Sequence, residues 1–327
     1  MKAILVNPNN KSLSWSDVPS PVIKSDEVLI DIHAAGVNRA DIMQRAGDYP
    51  PPPGSPEWMG LEVAGVIEAI GDEVPQSASL HIGDRVCALL GGGGYAEKAA
   101  VPYGMVMKLP EAISFTCGAA IPEAFATAYL NLVFEAKAKQ GDTLLVTAGA
   151  SGLAGVIIPM AKALGLYVIT TVRNDTYVEA IGPLGADVIV NTEKTKLTDA
   201  LAALVADGHP IDIAIDCVGG ADMGTYLPYM AYAGRWIVIA ALAGTLTTVD
   251  LKTIYVKNIR IIGSTLRSRK PEIKAQILQS LVKDIFPYIE RGTLLPTICA
   301  ELPITEAERA HEIMNGRHVG KVVMTVK

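Results

Sequence analysis

The segment from residue 144 to 158, LLVTAGASGLAGVII, constrains the fold of this chain more than any other stretch. A short apolar run leads into a group of small residues, and a long apolar segment that suits a helix follows. This order of strand, tight turn and helix is typical of a dinucleotide-binding unit. An ordinary turn between a strand and a helix has the same appearance, so the rest of the chain has to distinguish the two.

Three small residues in this segment, Gly149, Ser151 and Ala154, take the positions at which the chain must turn sharply, approach a pyrophosphate and pack a helix on the sheet. The N–H groups that open the next helix, predicted over residues 153–164, would face the phosphates. The predicted cofactor cradle consists of Gly149, Ala150, Ser151, Gly152, Leu153 and Ala154.

Strands and helices alternate through the middle of the chain, from about residue 121. We expect strands at 144–148, 167–172, 187–190, 211–216, 235–240 and 259–263, and helices at 123–138, 153–164, 175–183, 196–206 and 221–230. Such alternation predicts a doubly wound parallel sheet with helices on both faces, an α/β fold.

Shorter β-rich stretches, broken by glycine and proline, flank this region on both sides, and a helix is expected over 271–290. We therefore expect residues 123–264 to form a nucleotide-binding domain inserted into a β-rich domain of residues 1–122 and 265–327. This organisation predicts a cofactor cleft at the carboxyl ends of the parallel strands.

Composition excludes several classes of partner. Half of the residues are apolar and only 19% are charged, which suits a compact soluble protein. The net charge of −6 argues against nucleic acid or an anionic membrane as a partner. We see no signal peptide and no membrane-spanning stretch, and the four cysteines form no paired motif, so we expect a cytoplasmic protein.

Several motifs together resemble the zinc-free quinone oxidoreductase branch of the medium-chain dehydrogenase/reductase family, essentially from end to end. They are GVNRAD at 36–41, GDYPPP at 47–52, GLEVAG at 60–65, AIPEA at 120–124, DCVGG at 216–220, GRW at 234–236 and LRSR at 266–269. The first and last are most similar to the tumour-suppressor-induced type of quinone oxidoreductase. The resemblance implies a GroES-like catalytic domain, a Rossmann domain, and a homodimer, for which the apolar segment 259–263 is a candidate pairing edge.

The same comparison argues against a metal. Zinc-dependent members of the family carry a cysteine in the segment that here reads Gly36-Val37-Asn38, and a histidine where this chain has Leu61. A tetrahedral zinc site needs three or four correctly spaced nitrogen or sulfur ligands, which this chain does not supply. We therefore expect no metal, and we interpret Glu62 as a polar anchor between the domains.

The end of the second predicted strand bears on the choice of cofactor. No carboxylate stands at its tip to hold a ribose 2′-hydroxyl, whereas Arg173 is placed to meet a 2′-phosphate or, alternatively, to be a solvated loop cation. Asp175 is expected to cap the next helix. The family places a lysine and a tyrosine around the 2′-phosphate, at positions that here hold Tyr177 and Thr192. We predict NADPH rather than NADH.

The resemblance adds further cofactor contacts. Thr127 would lie near the nicotinamide, with a helix threonine bonded to its own backbone as the alternative. Arg267 and Lys321 would bring positive charge towards the cofactor, or would form ion pairs between the domains. The remaining expected contacts follow the later strands of the sheet: Val218, Ala241, Leu242, Leu266 and Ser268.

The candidate catalytic residues lie in the first domain. Tyr49, at the mouth of the loop 49–56, can stack on a planar acceptor and donate its phenol O–H. Asn38 and Asp41 are three residues apart and would share one face of a helical turn. The alternatives are a backbone-capping amide for Asn38 and a helix-start carboxylate for Asp41.

Three functions compete at this stage. The favoured one is an NADPH-dependent reductase of planar quinones, which transfers a hydride or electrons without a metal. A second keeps the cofactor but reduces an enone or enoyl thioester. A third is an NADPH-binding protein with a structural or RNA-associated role. The acidic composition counts against the RNA-associated version.

Overall fold

The structure is a computed structural model, and it describes residues 1–316 and 318–327. The strands are β1 (Lys2–Val6), β2 (Leu13–Asp17), β3 (Glu27–Val37), β4 (Glu62–Ile70), β5 (Arg85–Leu89), β6 (Lys98–Pro102), β7 (Val106–Lys108), β8 (Thr143–Val146), β9 (Tyr167–Val172), β10 (Val188–Asn191), β11 (Ile211–Asp216), β12 (Met230–Val238), β13 (Arg260–Gly263), β14 (Ile298–Pro303) and β15 (Lys321–Thr325).

The α-helices are α1 (Arg39–Ala46), α2 (Phe115–Ala119), α3 (Pro122–Tyr129), α4 (Ala154–Ala163), α5 (Asp175–Ile181), α6 (Leu197–Ala206), α7 (Met223–Tyr226), α8 (Leu251–Lys257), α9 (Pro271–Glu290) and α10 (Ala307–Asn315). Within the described ranges, no helix has the length and apolar character needed to cross a membrane.

The chain divides into two compact units, residues 1–126 with 267–327 and residues 127–266. These boundaries lie a few residues from those expected from the sequence. We call them the β-rich unit and the nucleotide unit.

The nucleotide unit contains a six-stranded sheet in the order β10-β9-β8-β11-β12-β13, with every neighbouring pair parallel. The order reverses direction between β8 and β11, which confirms the expected doubly wound α/β fold. Buried side chains from successive strands, including Leu145, Ile169 and Trp236, form its core. Their burial is the main stabilising contribution in this unit.

Two predicted helices differ markedly from the structure. The predicted helix 123–138 ends as α3 at Tyr129 and continues as a π-helical segment, Leu130–Glu135. The predicted helix 221–230 is only one turn, α7, because Pro228 ends it and β12 begins at Met230. Helix α8 was not predicted, although Asp250 marks its start by accepting two backbone N–H groups.

The β-rich unit contains a sheet in the order β14-β15-β3-β4-β5-β7, with β6 also paired to β3, and a separate β1–β2 pair. The eleven-residue strand β3 pairs with β4, β6 and β15. Consequently, β15, near residue 325, joins a sheet whose earliest strand, β3, begins at Glu27. Helix α9 spans the range predicted for it, while α10 was not predicted.

Candidate functional site

The turn after β8 fits closely against the neighbouring strand β9. A Cβ atom added to Gly149 would lie 2.4 Å from Thr170 Oγ1. The Gly149 N–H donates to the Thr171 carbonyl oxygen at 2.8 Å, and the Ala148 N–H donates to Thr171 Oγ1 at 3.2 Å. Only glycine fits at position 149, because β9 fixes the turn from both its backbone and its side chains.

The beginning of α4 presents hydrogen-bond donors. Ser151 Oγ accepts the Ala154 N–H at 3.1 Å, and the Ser151 carbonyl accepts the Gly155 N–H at 2.9 Å. Among the described residues, the Gly152 and Leu153 N–H groups have no hydrogen-bond acceptor. Unpaired amides at the start of a helix attract anionic oxygen, so the residues of the predicted cradle fit a pyrophosphate.

A buried carboxylate orders the turn after β11. Asp216 Oδ1 accepts the Thr147 hydroxyl at 2.9 Å and the N–H groups of Val218 and Gly219 at 2.8 and 3.1 Å. Its Oδ2 accepts the Trp236 indole N–H at 3.2 Å. Asp216 therefore positions the Val218 main chain, a role that the sequence had not suggested, although an acid that ends an apolar strand before two glycines is a usable signal.

The end of β9 departs from expectation at Asp175. The N-cap of α5 is Asn174, whose side chain accepts the Tyr177 N–H at 3.4 Å. Asp175 already belongs to the helix, so the prediction that it caps this helix was wrong. Arg173 is exposed, Tyr177 is half-buried and Thr192 donates its hydroxyl to the Val172 carbonyl at 3.1 Å.

The other predicted cofactor residues of this unit follow its strands. Val218 comes after β11, Ala241 and the exposed Leu242 after β12, and the buried Leu266 after β13. Because carboxyl ends of parallel strands share one edge of a sheet, these residues and the cradle lie at the same edge. Thr127 lies in α3, where its carbonyl accepts Asn131 Nδ2 at 2.7 Å. Their contact with a cofactor stays a prediction.

In the β-rich unit, Lys321 is buried and fully hydrogen-bonded. Its ammonium donates to the Val37 carbonyl at 3.3 Å, to Asn38 Oδ1 at 2.6 Å and to Glu62 Oε1 at 2.5 Å. All three ammonium protons are thereby used. The structure therefore favours an ion pair for Lys321 over direct contact with the cofactor. The ion pair was expected between the domains, but Lys321 and Glu62 both belong to the β-rich unit.

Glu62 is the acceptor at the centre of this network. Its Oε1 also accepts the Asn38 amide N–H at 2.9 Å, and its Oε2 accepts the Glu123 backbone N–H at 2.8 Å. All of these contacts lie inside the β-rich unit. Glu62, expected to be a polar anchor between the domains, therefore anchors segments within one unit. A buried carboxylate needs a positive partner, which Lys321 supplies.

Asp41 is enclosed at the start of α1. Its carboxylate accepts the Asn38 N–H at 2.8 Å, the Gly60 N–H at 3.1 Å and the Tyr95 hydroxyl at 3.0 Å. Burial raises the pKa of Asp41 to about 6, against the lowering effect of these hydrogen bonds. A fully enclosed carboxylate does not touch a bound substrate, so the structure supports the helix-start alternative for Asp41.

Tyr49 is held beside a guanidinium group. The Arg267 guanidinium carbon lies 4.8 Å from the centre of the Tyr49 ring. Arg267 also donates to the Gly91 carbonyl at 2.8 and 3.0 Å, to the Tyr49 carbonyl at 3.3 Å and to Gln44 Oε1 at 2.7 Å. These contacts fasten the loop that carries Tyr49. Arg267 was predicted to face the cofactor, but these four hydrogen bonds all go to residues of its own unit. The neighbouring Ser268 is exposed.

Two protonation states matter in this unit. Burial raises the pKa of the Tyr49 phenol, with Arg267 opposing, so the phenol keeps its proton at neutral pH. Burial and the neighbouring Glu62 raise the pKa of Glu123 to about 7, although Lys321 and Arg267 lower it. Glu123 was not predicted as a site residue, yet an acid that follows proline at the start of an apolar helix marks it in the sequence.

The positions that would hold zinc do not fit it. Leu61 is buried without a ligand atom, and Asn38 is bonded to Glu62 and Lys321. In the residues that the structure describes, no three histidine, cysteine or carboxylate side chains gather as a metal site would require.

A doubly wound sheet that carries a small-residue turn, in a chain with a separate β-rich unit, defines the class of two-domain, dinucleotide-binding oxidoreductases. The chain belongs to the medium-chain dehydrogenase/reductase family. Residues 24–111 match the model of the alcohol dehydrogenase GroES-like domain, and residues 152–283 match the model described as zinc-binding dehydrogenase. This confirms the family that the sequence motifs indicated.

Relatives cover nearly the whole chain. Human quinone oxidoreductase is 32% identical over 312 residues, which are 94% of this chain and 92% of that protein. The quinone oxidoreductase of Thermus thermophilus, solved alone and with NADPH, superposes with a TM-score of 0.83 at 28% identity over the full length of both chains. An NAD-dependent alcohol dehydrogenase superposes with a TM-score of 0.85 at 26% identity, again over both full lengths. The fold alone therefore does not select between the two nicotinamide cofactors.

Proposed function

We propose that this protein is an NADPH-dependent quinone oxidoreductase that works without a metal. The observation that carries the proposal is the turn at 149–154. Its small residues, and the Gly152 and Leu153 N–H groups that have no acceptor among the described residues, fit a dinucleotide pyrophosphate. The similarity to quinone oxidoreductases along 94% of the chain supports the acceptor.

Bound NADPH supplies a hydride, and reduction of a quinone to a hydroquinone consumes one hydride and one proton. Tyr49 keeps its phenol proton and stands on a loop fastened by Arg267, so it can donate a hydrogen bond to the acceptor oxygen as negative charge develops there. Burial raises the pKa of Glu123 to about 7, and its charge acts on the Tyr49 phenol, so Glu123 is our candidate source of the proton.

Asn38 and Asp41 act as positioning residues in this proposal. The amide of Asn38 is fixed by Glu62 and Lys321, and Asp41 ties the start of α1 to Gly60. A rigid turn of this kind holds a substrate-binding surface in one geometry, which lowers the cost of orienting the acceptor.

The proposal includes a homodimer formed through the edge strand β13. This strand has a partner only on its β12 side in the sheet as described, and Ile261 on it is 43% exposed. Tyr255 and Val256, on the preceding helix α8, are 71% and 57% exposed. Apolar side chains beside an open strand edge favour pairing with a second copy.

The test is NADPH oxidation with a panel of quinones, enones and enoyl thioesters, together with NADPH binding followed by fluorescence. We expect quinones to be reduced faster than the other acceptors. If enoyl thioesters were reduced faster, the protein would be an enoyl-thioester reductase and not a quinone reductase. Tight NADPH binding without oxidation by any acceptor would contradict an enzymatic role.

A further inference from the structure

Strands β9 and β10 bring two loop segments together at the carboxyl edge of the nucleotide unit. The Thr192 N–H donates to the Val172 carbonyl at 2.8 Å, and the Glu193 N–H donates to the Arg173 carbonyl at 3.2 Å. The segment after β10 therefore runs alongside the end of β9. This places Lys194 beside the start of α5.

At this position both carboxylate oxygens of Asp175 are engaged. Lys194 Nζ lies 2.5 Å from Asp175 Oδ2, and Asn191 Nδ2 donates to Asp175 Oδ1 at 2.8 Å. The Lys194 and Asn191 hydrogen bonds lower the pKa of Asp175, so it is charged and paired at neutral pH. Both side chains of the ion pair are more than half exposed, so a ligand can reach them.

These groups occupy the part of a doubly wound sheet that meets the adenosine ribose. A free carboxylate just past the second strand favours a ribose 2′-hydroxyl, whereas a cation favours a 2′-phosphate. Asp175 comes two residues after the exposed Arg173 and would repel a phosphate there if it were unpaired. The exposed Glu193 adds a second carboxylate on the same segment. The choice between a 2′-phosphate and a 2′-hydroxyl therefore depends on which of these charges are paired, and not on the net charge of the segment.

We propose that Lys194 determines the preference for a 2′-phosphate, by neutralising Asp175 and by forming with Arg173 a two-cation site. The inference rests on the proposed use of NADPH. Positions 177 and 192, where the resemblance implies a lysine and a tyrosine, hold Tyr177 and Thr192. Lys194, two residues beyond Thr192, restores an ammonium group to this edge of the sheet.

Two small nucleotides test the site without turnover. Adenosine 2′,5′-bisphosphate carries the 2′-phosphate, and adenosine 5′-monophosphate lacks it. By calorimetry on the full chain, we expect Lys194→Gln to weaken binding of the bisphosphate about tenfold, the effect of losing one charge-assisted hydrogen bond, while the monophosphate binds as well as before or better. Lys194→Arg should retain most of the bisphosphate affinity.

Lys196 provides the matched control, because it is an exposed lysine on the same loop. Lys196→Gln should leave both affinities unchanged, and Asp175→Asn, which releases Lys194, should tighten bisphosphate binding. Equal effects of the two lysine-to-glutamine changes would overturn the inference while leaving the proposed function intact. If the unaltered chain does not prefer the bisphosphate, then the proposed use of NADPH fails and the inference fails with it.

Discussion

The turn after β8 and the buried network around Glu62 differ in how their polar groups are hydrogen-bonded. At the turn after β8, Gly152 and Leu153 present N–H groups without acceptors among the described residues, so these donors are available to an anion. In the β-rich unit, Lys321 and Glu62 saturate one another together with Asn38. Unsatisfied donors are suited to binding, whereas saturated ones are suited to holding the backbone in place.

The largest expected effect comes from breaking the saturated network. Lys321→Met leaves the buried Glu62 carboxylate without a counter-charge, and we expect it to lower the free energy of unfolding by about 3–5 kcal/mol. Urea denaturation measures this. The matched control is Lys327→Met, which removes an exposed pair with Asp31 and should cost at most about 1 kcal/mol. If both changes lowered the free energy of unfolding by similar amounts, the buried Lys321–Glu62 pair would be no more important for stability than the exposed Lys327–Asp31 pair, contrary to this prediction.

The turn after β8 should respond differently, because its substitution affects cofactor binding as well as stability. Gly149→Ala places a Cβ 2.4 Å from Thr170 Oγ1, a hydroxyl that already donates to the Val146 carbonyl. We expect a loss of about 1–3 kcal/mol in stability and a weakening of NADPH binding, measured by fluorescence titration, of more than about tenfold. Gly155→Ala is the control, because its added Cβ would meet nothing within 4 Å. A larger loss from the change at Gly155 would show that Gly149 is not the position at which the turn has to be tight.

The protonation of Glu123 predicts a dependence of stability on pH. Its pKa rises from 4.5 to about 7 on folding, so the folded chain holds a proton that the unfolded chain releases between these values. The contribution of Glu123 to stability therefore falls as the pH rises through this window. Glu123→Gln should be more stable than the parent above pH 7 by about 1–3 kcal/mol and equal to it near pH 4. Denaturation at several pH values measures the difference, and a gain independent of pH would refute the assignment.

The smallest expected effect concerns a single hydroxyl. Tyr49→Phe keeps the ring that Arg267 contacts but removes the phenol O–H. We expect kcat for quinone reduction to fall about tenfold, with little change in KM, because the lost hydrogen bond serves the developing charge and not the bound acceptor. An unchanged kcat would leave Tyr49 only a stacking role.

Local patterns predicted much of this fold. The strand Ile211–Asp216 and the helix Pro271–Glu290 appear with the expected limits, because each has a clear periodicity and clear end signals. The start of β12 was missed, since Ala233 within it has a φ of 59°, a conformation that no propensity indicates.

The candidate site was less predictable than the fold. The cradle could be identified because its residues are contiguous. In contrast, Lys321 and Glu62 are 259 residues apart, and the sequence gives no sign that the two side chains meet. The pairing of Asp175 with Lys194 likewise depends on how two strands align in the sheet.

The position of β15 has a consequence for synthesis. This strand lies between β14 and β3, so these two strands cannot join one sheet until the ribosome has made residues 321–325. The inserted nucleotide unit is complete long before then and, as a compact body, can fold first. Until Lys321 emerges, Glu62 has no cation to accompany it into the interior. We therefore expect nascent chains that stop before β15 to leave the β3 backbone at residues 34–37 without its β15 partner, and to depend on chaperones.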